Sequence, residues 1–93
     1  MKLSGRQVTA ARDLLGITQA ELGAAIGVAM QTIFRFEAGL GAPRLSTVAK
    51  IQAELERRGI EFTNGTGIGI RLNYEKAAQY ARLSATAQNE SDR

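Results

Sequence analysis

Ninety-three residues, 44% apolar and 23% charged, make one small globular domain and leave no length for a second full one. Histidine and cysteine are both absent, which excludes disulfides, thiolate or imidazole metal sites and the Ser-His and Cys-His nucleophile pairs; no enzyme, cofactor or metal is expected. The net charge of +3 lies wholly in residues 1–50, with six basic and three acidic groups against six and six in residues 51–93, a weak footprint for a polyanion that also serves solubility.

In chain order, the first 58 residues read as a run of short helices. Ser4-x-x-Gln7 is a capping box that opens a helix with Val8, Ala11, Leu14 and Leu15 at helical spacing, and Gly16 ends it. Thr18-x-x-Glu21 is a second capping box, leading through Leu22 to Ile26 before Gly27-Val28 breaks the pattern. A third helix is expected from about Met30 to Ala38, with Ile33 and Phe36 turned inward. Gly39 to Pro43 is a loop, and a fourth helix from about Ser46 to Arg58 puts Val48, Ile51 and Leu55 on one face. Arg57-Arg58 beside Glu54 and Glu56 reads as a solvated helix end.

After Gly59 the period falls from 3.6 to 2. Ile60 and Phe62 alternate with Glu61 and Thr63, and Ile68, Ile70 and Leu72 alternate with Gly69 and Arg71. Asn64-Gly65 marks a hairpin turn between these strands, and Thr66-Gly67 allows a longer loop. Tyr74 to Thr86 returns to helical composition with a stripe of Ala77, Ala78, Ala81 and Ala85, and Gln88 to Arg93 reads as a frayed polar tail. The glycines at 65, 67 and 69 suit turn and strand bulging better than a phosphate loop, since no helix start follows at the required distance. No apolar run approaches the roughly 20 residues that cross a bilayer, and Met1 to Arg6 lacks a signal core, so no membrane association and a cytoplasmic address are expected.

Thr18 to Ala38, two short helices about a glycine corner, is a helix-turn-helix candidate. Gly23 faces the next helix, where a bulky side chain would force the pair apart, and Gly27 permits the left-handed backbone of a three-residue corner. Read in register, Thr18-Gln19-Ala20-Glu21-Leu22-Gly23, Ile26-Gly27-Val28, Thr32 to Gly39 and Pro43 resemble the lambda repressor/Cro-type (XRE) helix-turn-helix family over residues 6–58. The resemblance implies a mainly α fold, a lambda-repressor-like bundle of four or five helices, to which this chain adds a C-terminal β-hairpin and a short C-terminal helix. The implied division is a DNA-binding domain over 1–59, a hairpin over 60–73, and a helix with flexible tail over 74–93. Two departures stand out: Ala29 lies where Ser or Thr usually caps the reading helix, and Met30 where a polar or basic residue is common.

Carried over by position, the third helix is expected to enter the major groove of double-stranded DNA and to present Met30, Gln31, Phe34 and Arg35 to the bases. Gln31 suits adenine N6 and N7, Arg35 suits guanine O6 and N7 or a phosphate, and Met30 and Phe34 suit a thymine methyl, with core packing the alternative for Phe34. Thr18, Gln19, Thr32, Arg44 and Arg6 are expected on phosphates, Thr18 keeping its capping role as well, whereas Lys2 reads as a loose solvated end. In relatives, the pair equivalent to Arg12 and Glu37 ties the first helix to the end of the reading helix, so these two are expected to be structural.

A two-stranded hairpin is marginal alone in water, so residues 60–72 need a cover for their apolar face and a neighbour for their edge. The bundle supplies the first and a second copy the second, which makes Ile60, Phe62, Ile68, Ile70 and Leu72 the expected dimerisation residues; dimerisation through the fourth helix is the rival. The sequence therefore reads as a homodimeric, sequence-specific regulator, a repressor on a palindromic operator. The alternatives are an antitoxin whose C-terminal segment holds a protein partner, and an anti-activator that uses the helix-turn-helix surface to grip a protein.

Overall fold

Ser4 starts the first helix as a capping box: its hydroxyl accepts from the Gln7 backbone N–H at 3.2 Å, and Gln7 Oε1 accepts from the Ser4 N–H at 3.0 Å. In the computed structural model, which describes residues 2–91 and side chains as far as Ala85, this helix is α1 (Gly5–Leu15). It is followed by α2 (Gln19–Ile26), α3 (Met30–Glu37) and α4 (Leu45–Arg57), then β1 (Ile60–Thr63), β2 (Gly69–Leu72) and α5 (Tyr74–Ser91). The fold is mainly helical with one two-stranded antiparallel hairpin and a C-terminal helix. Thr18 and Glu21 form the second capping box, and Gly27 closes α2 at φ 73°, in the left-handed region that its missing Cβ makes accessible. A Cβ on Gly23 would stand 2.7 Å from the Val28 carbonyl oxygen, so the corner of the α2–α3 pair is tight at that residue.

One core serves all the elements. Val8 and Ala11 from α1, Leu22 from α2, Ile33 from α3, Ile51 and Leu55 from α4, Ile60 from β1 and Leu3 from the amino end are buried together. Each large aliphatic side chain so placed contributes about 1.5–3 kcal/mol. Leu14, expected inward, is instead 51% exposed. Val8, Ala11 and Leu15 already define the inward side of α1, and Leu14 turns toward Leu72, Asn73 and Tyr74.

The strands pair Ile60 with Leu72, Glu61 with Arg71, Phe62 with Ile70 and Thr63 with Gly69. Two of the expected dimerisation residues are placed otherwise than the alternation suggested. Ile60 is 1% exposed within its own chain's core, because β1 lies against α4, so its side chain is not on an interface surface. Ile68 falls in the loop before β2 and is 54% exposed, since the connection takes all five residues from Asn64 to Ile68.

Two polar ties fix the hairpin to the bundle. The Gln7 amide, 2% exposed, donates toward the Thr63 carbonyl, Asn64 Oδ1 and the Gly69 carbonyl at 2.9–3.2 Å. The Asn64 amide donates to the Lys2 carbonyl at 2.7 Å and Leu3 is buried, so Lys2 belongs to an anchored segment and is not the loose end expected. Glu61 on the outer face accepts from Arg71, from Lys76 and from Asn73, and these donors hold its carboxyl down at about 2.

The carboxy-terminal helix also departs from expectation. Its backbone runs on through Gln88 to Ser91, where a frayed tail was expected; Asp92 and Arg93, with Met1, lie outside the described residues. The alanine stripe is largely exposed, with Ala77 alone half-buried against Gly59. Of the expected solvated helix end, Arg57 is 59% exposed but Arg58 only 17%; both bind Glu54, whose side chain is 8% exposed, and both flank the Tyr80 ring at 5.0–5.1 Å. A buried carboxylate needs paired donors, and the two arginines supply them. Among the described residues no helix is long and apolar enough to cross a membrane, and no group of three or more acidic, His or Cys residues is placed to hold a metal ion.

Candidate nucleic-acid interface

Helix α3 has two unlike sides. Ile33 is fully buried and Phe36 packs against the core, whereas Met30 is 52% and Phe34 46% exposed and Gln31 and Arg35 are exposed beside them. Residues four apart stack on one helical face, so Met30 with Phe34 and Gln31 with Arg35 make two adjacent rows on the outer side. Phe34 is therefore on the surface and not in the core. The start of α3 has no side-chain cap: Ala29 has the extended backbone of a cap residue, φ −66° and ψ 145°, and no hydroxyl to use there. Ala29→Ser is expected to stabilise the fold by about 1 kcal/mol, read as a rise of about 4–8 °C in thermal midpoint.

The far end of α3 is held by a knot of four side chains. Glu37 Oε2 accepts from Arg12 Nε at 2.6 Å, while Oε1 accepts from Arg12 Nη2 at 2.8 Å, Thr9 Oγ1 at 2.8 Å and Gln19 Nε2 at 3.1 Å. Arg12 Nη1 also donates to the Ile17 carbonyl at 3.0 Å, in the link between α1 and α2. The side chains of Arg12 and Glu37 are 14% and 6% exposed. Burial pushes the Glu37 carboxyl up, but the bonds from Arg12, Thr9 and Gln19 together outweigh it and hold it below the usual carboxylate range; Glu37 in turn raises Arg12. Three helices thus meet at one carboxylate, which sets the angle at which α3 leaves the bundle. Thr9 was not among the residues singled out from the sequence, although it lies one turn before Arg12 on the same face of α1.

Gln19, expected on a phosphate, is half-buried and gives one amide hydrogen to Glu37, keeping a second for another acceptor. Thr18 is exposed, and its hydroxyl accepts from the Glu21 N–H at 3.0 Å, which leaves the hydroxyl proton free. Thr32 and Arg35 line one cleft with Leu40 to Pro43, and the Arg35 guanidinium lies over Gly41. Arg44 is exposed at the start of α4, just beyond that cleft. Arg6 stands apart from this group: it lines the groove between α1 and Ile68 to Ile70, on the hairpin side. The structure therefore gathers Thr32, Arg35 and the loop into Arg44 at one end of α3 and Gln19 at the knot, and leaves Arg6 elsewhere.

A comparison with protein-family models matches residues 8–62 to a helix-turn-helix family, spanning α2 and α3 and the helices that frame them. A comparison with curated proteins finds no match.

Proposed function

Because the chain belongs to the lambda repressor/Cro-like (XRE) helix-turn-helix family of DNA-binding transcription regulators, we propose that it reads a specific, palindromic operator as a homodimer and represses by covering a promoter. The observation that carries this reading is the outer side of α3, where the Gln31 amide and the Arg35 guanidinium stand beside two large apolar side chains, Met30 and Phe34, all four residues exposed. Such a surface supplies bidentate partners for base edges and apolar partners for a thymine methyl. Gln31 and Arg35 read bases in this proposal, Met30 and Phe34 contact methyl groups, and Thr18, Gln19, Thr32 and Arg44 hold phosphates. Two such helices about one DNA turn, roughly 34 Å, apart give the operator its two-fold symmetry. A dimer occupying both major-groove segments excludes any other protein from them, which is repression by occlusion.

Selection from a random duplex pool, followed by binding titrations at several salt concentrations, tests the proposal. Gln31→Ala is expected to relax preference at one base position at a cost of about 1–3 kcal/mol. Gln19→Ala is expected to weaken all sequences alike and to flatten the salt slope by roughly one unit per site. A Gln31→Ala protein with unchanged affinity and preference would remove the site assignment. A second reading, a protein partner on the C-terminal helix, is favoured by Tyr74 and Leu83, 84% and 72% exposed on α5. Co-purification of a stoichiometric second protein would support it.

A further inference from the structure

Behind the loop from α3 to α4 the packing is incomplete. A cavity of about 420 Å³ lies between that loop, the start of α4 and the amino-terminal segment, a size ordinary for small-molecule sites. Leu3, Phe36 and Val48 form its floor: Leu3 is buried, and the other two are half-buried against the core. Ala42, Pro43 and Leu45 form its rim, and Leu45 is 87% exposed. The amino-terminal wall is fixed, because Asn64 holds the Lys2 carbonyl and Leu3 belongs to the core.

The charges around this cavity are of one sign. Lys2 is the one ionisable residue that lines it, and Lys2 is exposed, which puts its ammonium at the open side. Residues 2–12 and 38–53 supply all of the lining but Phe36; they contain Lys2, Arg6, Arg12, Arg44 and Lys50 and no Asp or Glu. Glu37, beside Phe36, is already taken by Arg12. Arg44 makes no side-chain cap at the start of α4, so the first-turn N–H groups beside Leu45 lack that acceptor too. Duplex DNA offers phosphates to such donors but nothing apolar to fill the space behind them.

We propose that the cavity binds a small amphipathic carboxylate, a straight-chain fatty acid of medium length, and that this ligand weakens DNA binding as an inducer. The alkyl chain covers Leu45 and displaces water from the floor, while the carboxylate meets Lys2 at the open side. The effect on DNA rests on the operator reading above; the binding itself does not. Phe36, Ala42 and Pro43 also line the cleft that holds Thr32 and Arg35, so a ligand against them shifts a wall of that cleft. The bound anion also stands near Arg44, where it repels a phosphate. Both effects have the same sign.

Calorimetric titration of the full chain with octanoate and decanoate, without DNA, tests the site. Affinity is expected to rise by about fourfold per methylene between the two. Decanol, and decanoate on the Lys2→Met protein, are each expected to bind up to about fivefold more weakly than decanoate on wild type. Leu45→Glu sets a carboxylate at the rim and is expected to abolish decanoate binding. Its circular dichroism and thermal midpoint are expected to hold, since Leu45 is mostly exposed and Glu suits a first helical turn. Saturating decanoate is then expected to weaken duplex binding by about fivefold or more, and duplex to weaken decanoate by the same factor. Undiminished decanoate binding by both variants overturns the site, and decanol or decylamine binding as tightly as decanoate overturns the ligand class. Decanoate that splits a dimer in light scattering gives the cavity to a second copy and overturns the small-molecule occupant. A chain that binds duplex but no decanoate sinks only this proposal, and one that binds decanoate but no duplex sinks only the operator reading.

Discussion

Arg12→Ala is expected to lower folding stability by about 3–5 kcal/mol, because it leaves the Glu37 carboxylate charged with its strongest partner gone. A domain of this size has a total of about 5–15 kcal/mol to lose, so the variant approaches the unfolding threshold at ambient temperature. The effect has a pH signature. In the wild-type protein Glu37 is held below its ordinary value of 4.5, so its contribution is complete above that value and is lost as pH falls through the lower folded value. The variant lacks that contribution throughout. The gap between the two proteins, measured by denaturant unfolding, is therefore expected to be widest at neutral pH and to narrow steadily in acid. A gap that stays constant from about pH 7 to about pH 3 would show that the charge of Glu37 is not what Arg12 serves.

Gly5→Ala has the second largest expected effect, and here two physical tendencies oppose each other. Alanine is the better helix former by about 1 kcal/mol, so local propensity predicts stabilisation at the start of α1. A Cβ at this position, however, would overlap the Phe36 carbonyl oxygen and stand 2.9 Å from the Glu37 Cα and carbonyl oxygen. These are backbone atoms at the end of α3, with no flexible side chain to give way. Overpacking of this kind costs about 1–3 kcal/mol, so net destabilisation is expected. Gly65→Ala, where a Cβ would meet nothing within 4 Å, is the control and should be close to neutral. Relief of the overlap moves the end of α3, so the folded fraction of the Gly5→Ala protein is also expected to bind duplex more weakly. Unchanged thermal midpoint and binding would mean that α1 and α3 can separate at this contact without consequence.

How much of the site can be read from the chain depends on the range of the interaction concerned. Thr18 with Glu21 and Ser4 with Gln7 were legible because a capping box is a contact between residues three apart. The inward Ile33 and the outward Gln31 and Arg35 follow from a 3.6-residue period once the helix is recognised. Gln7 shows where such reading stops. Its acceptor oxygen serves the cap, while its amide hydrogens reach residues 56 to 62 positions away. No spacing rule announces that second role.

The sequence by itself determined the order and nature of the elements, the two capped starts, the glycine corner and the family, because each of these is encoded in periodicity and contacts within a few residues. Only the tertiary structure decided which apolar residues are used up inside: Ile60 in the core, Leu14, Ile68 and Phe34 outside it. It also decided that Glu37 collects donors from two other helices, that Glu54 gathers two arginines, and that Arg6 faces the hairpin and not α3. Burial and charge pairing depend on which distant surface closes over a side chain, and that is fixed by packing the elements together.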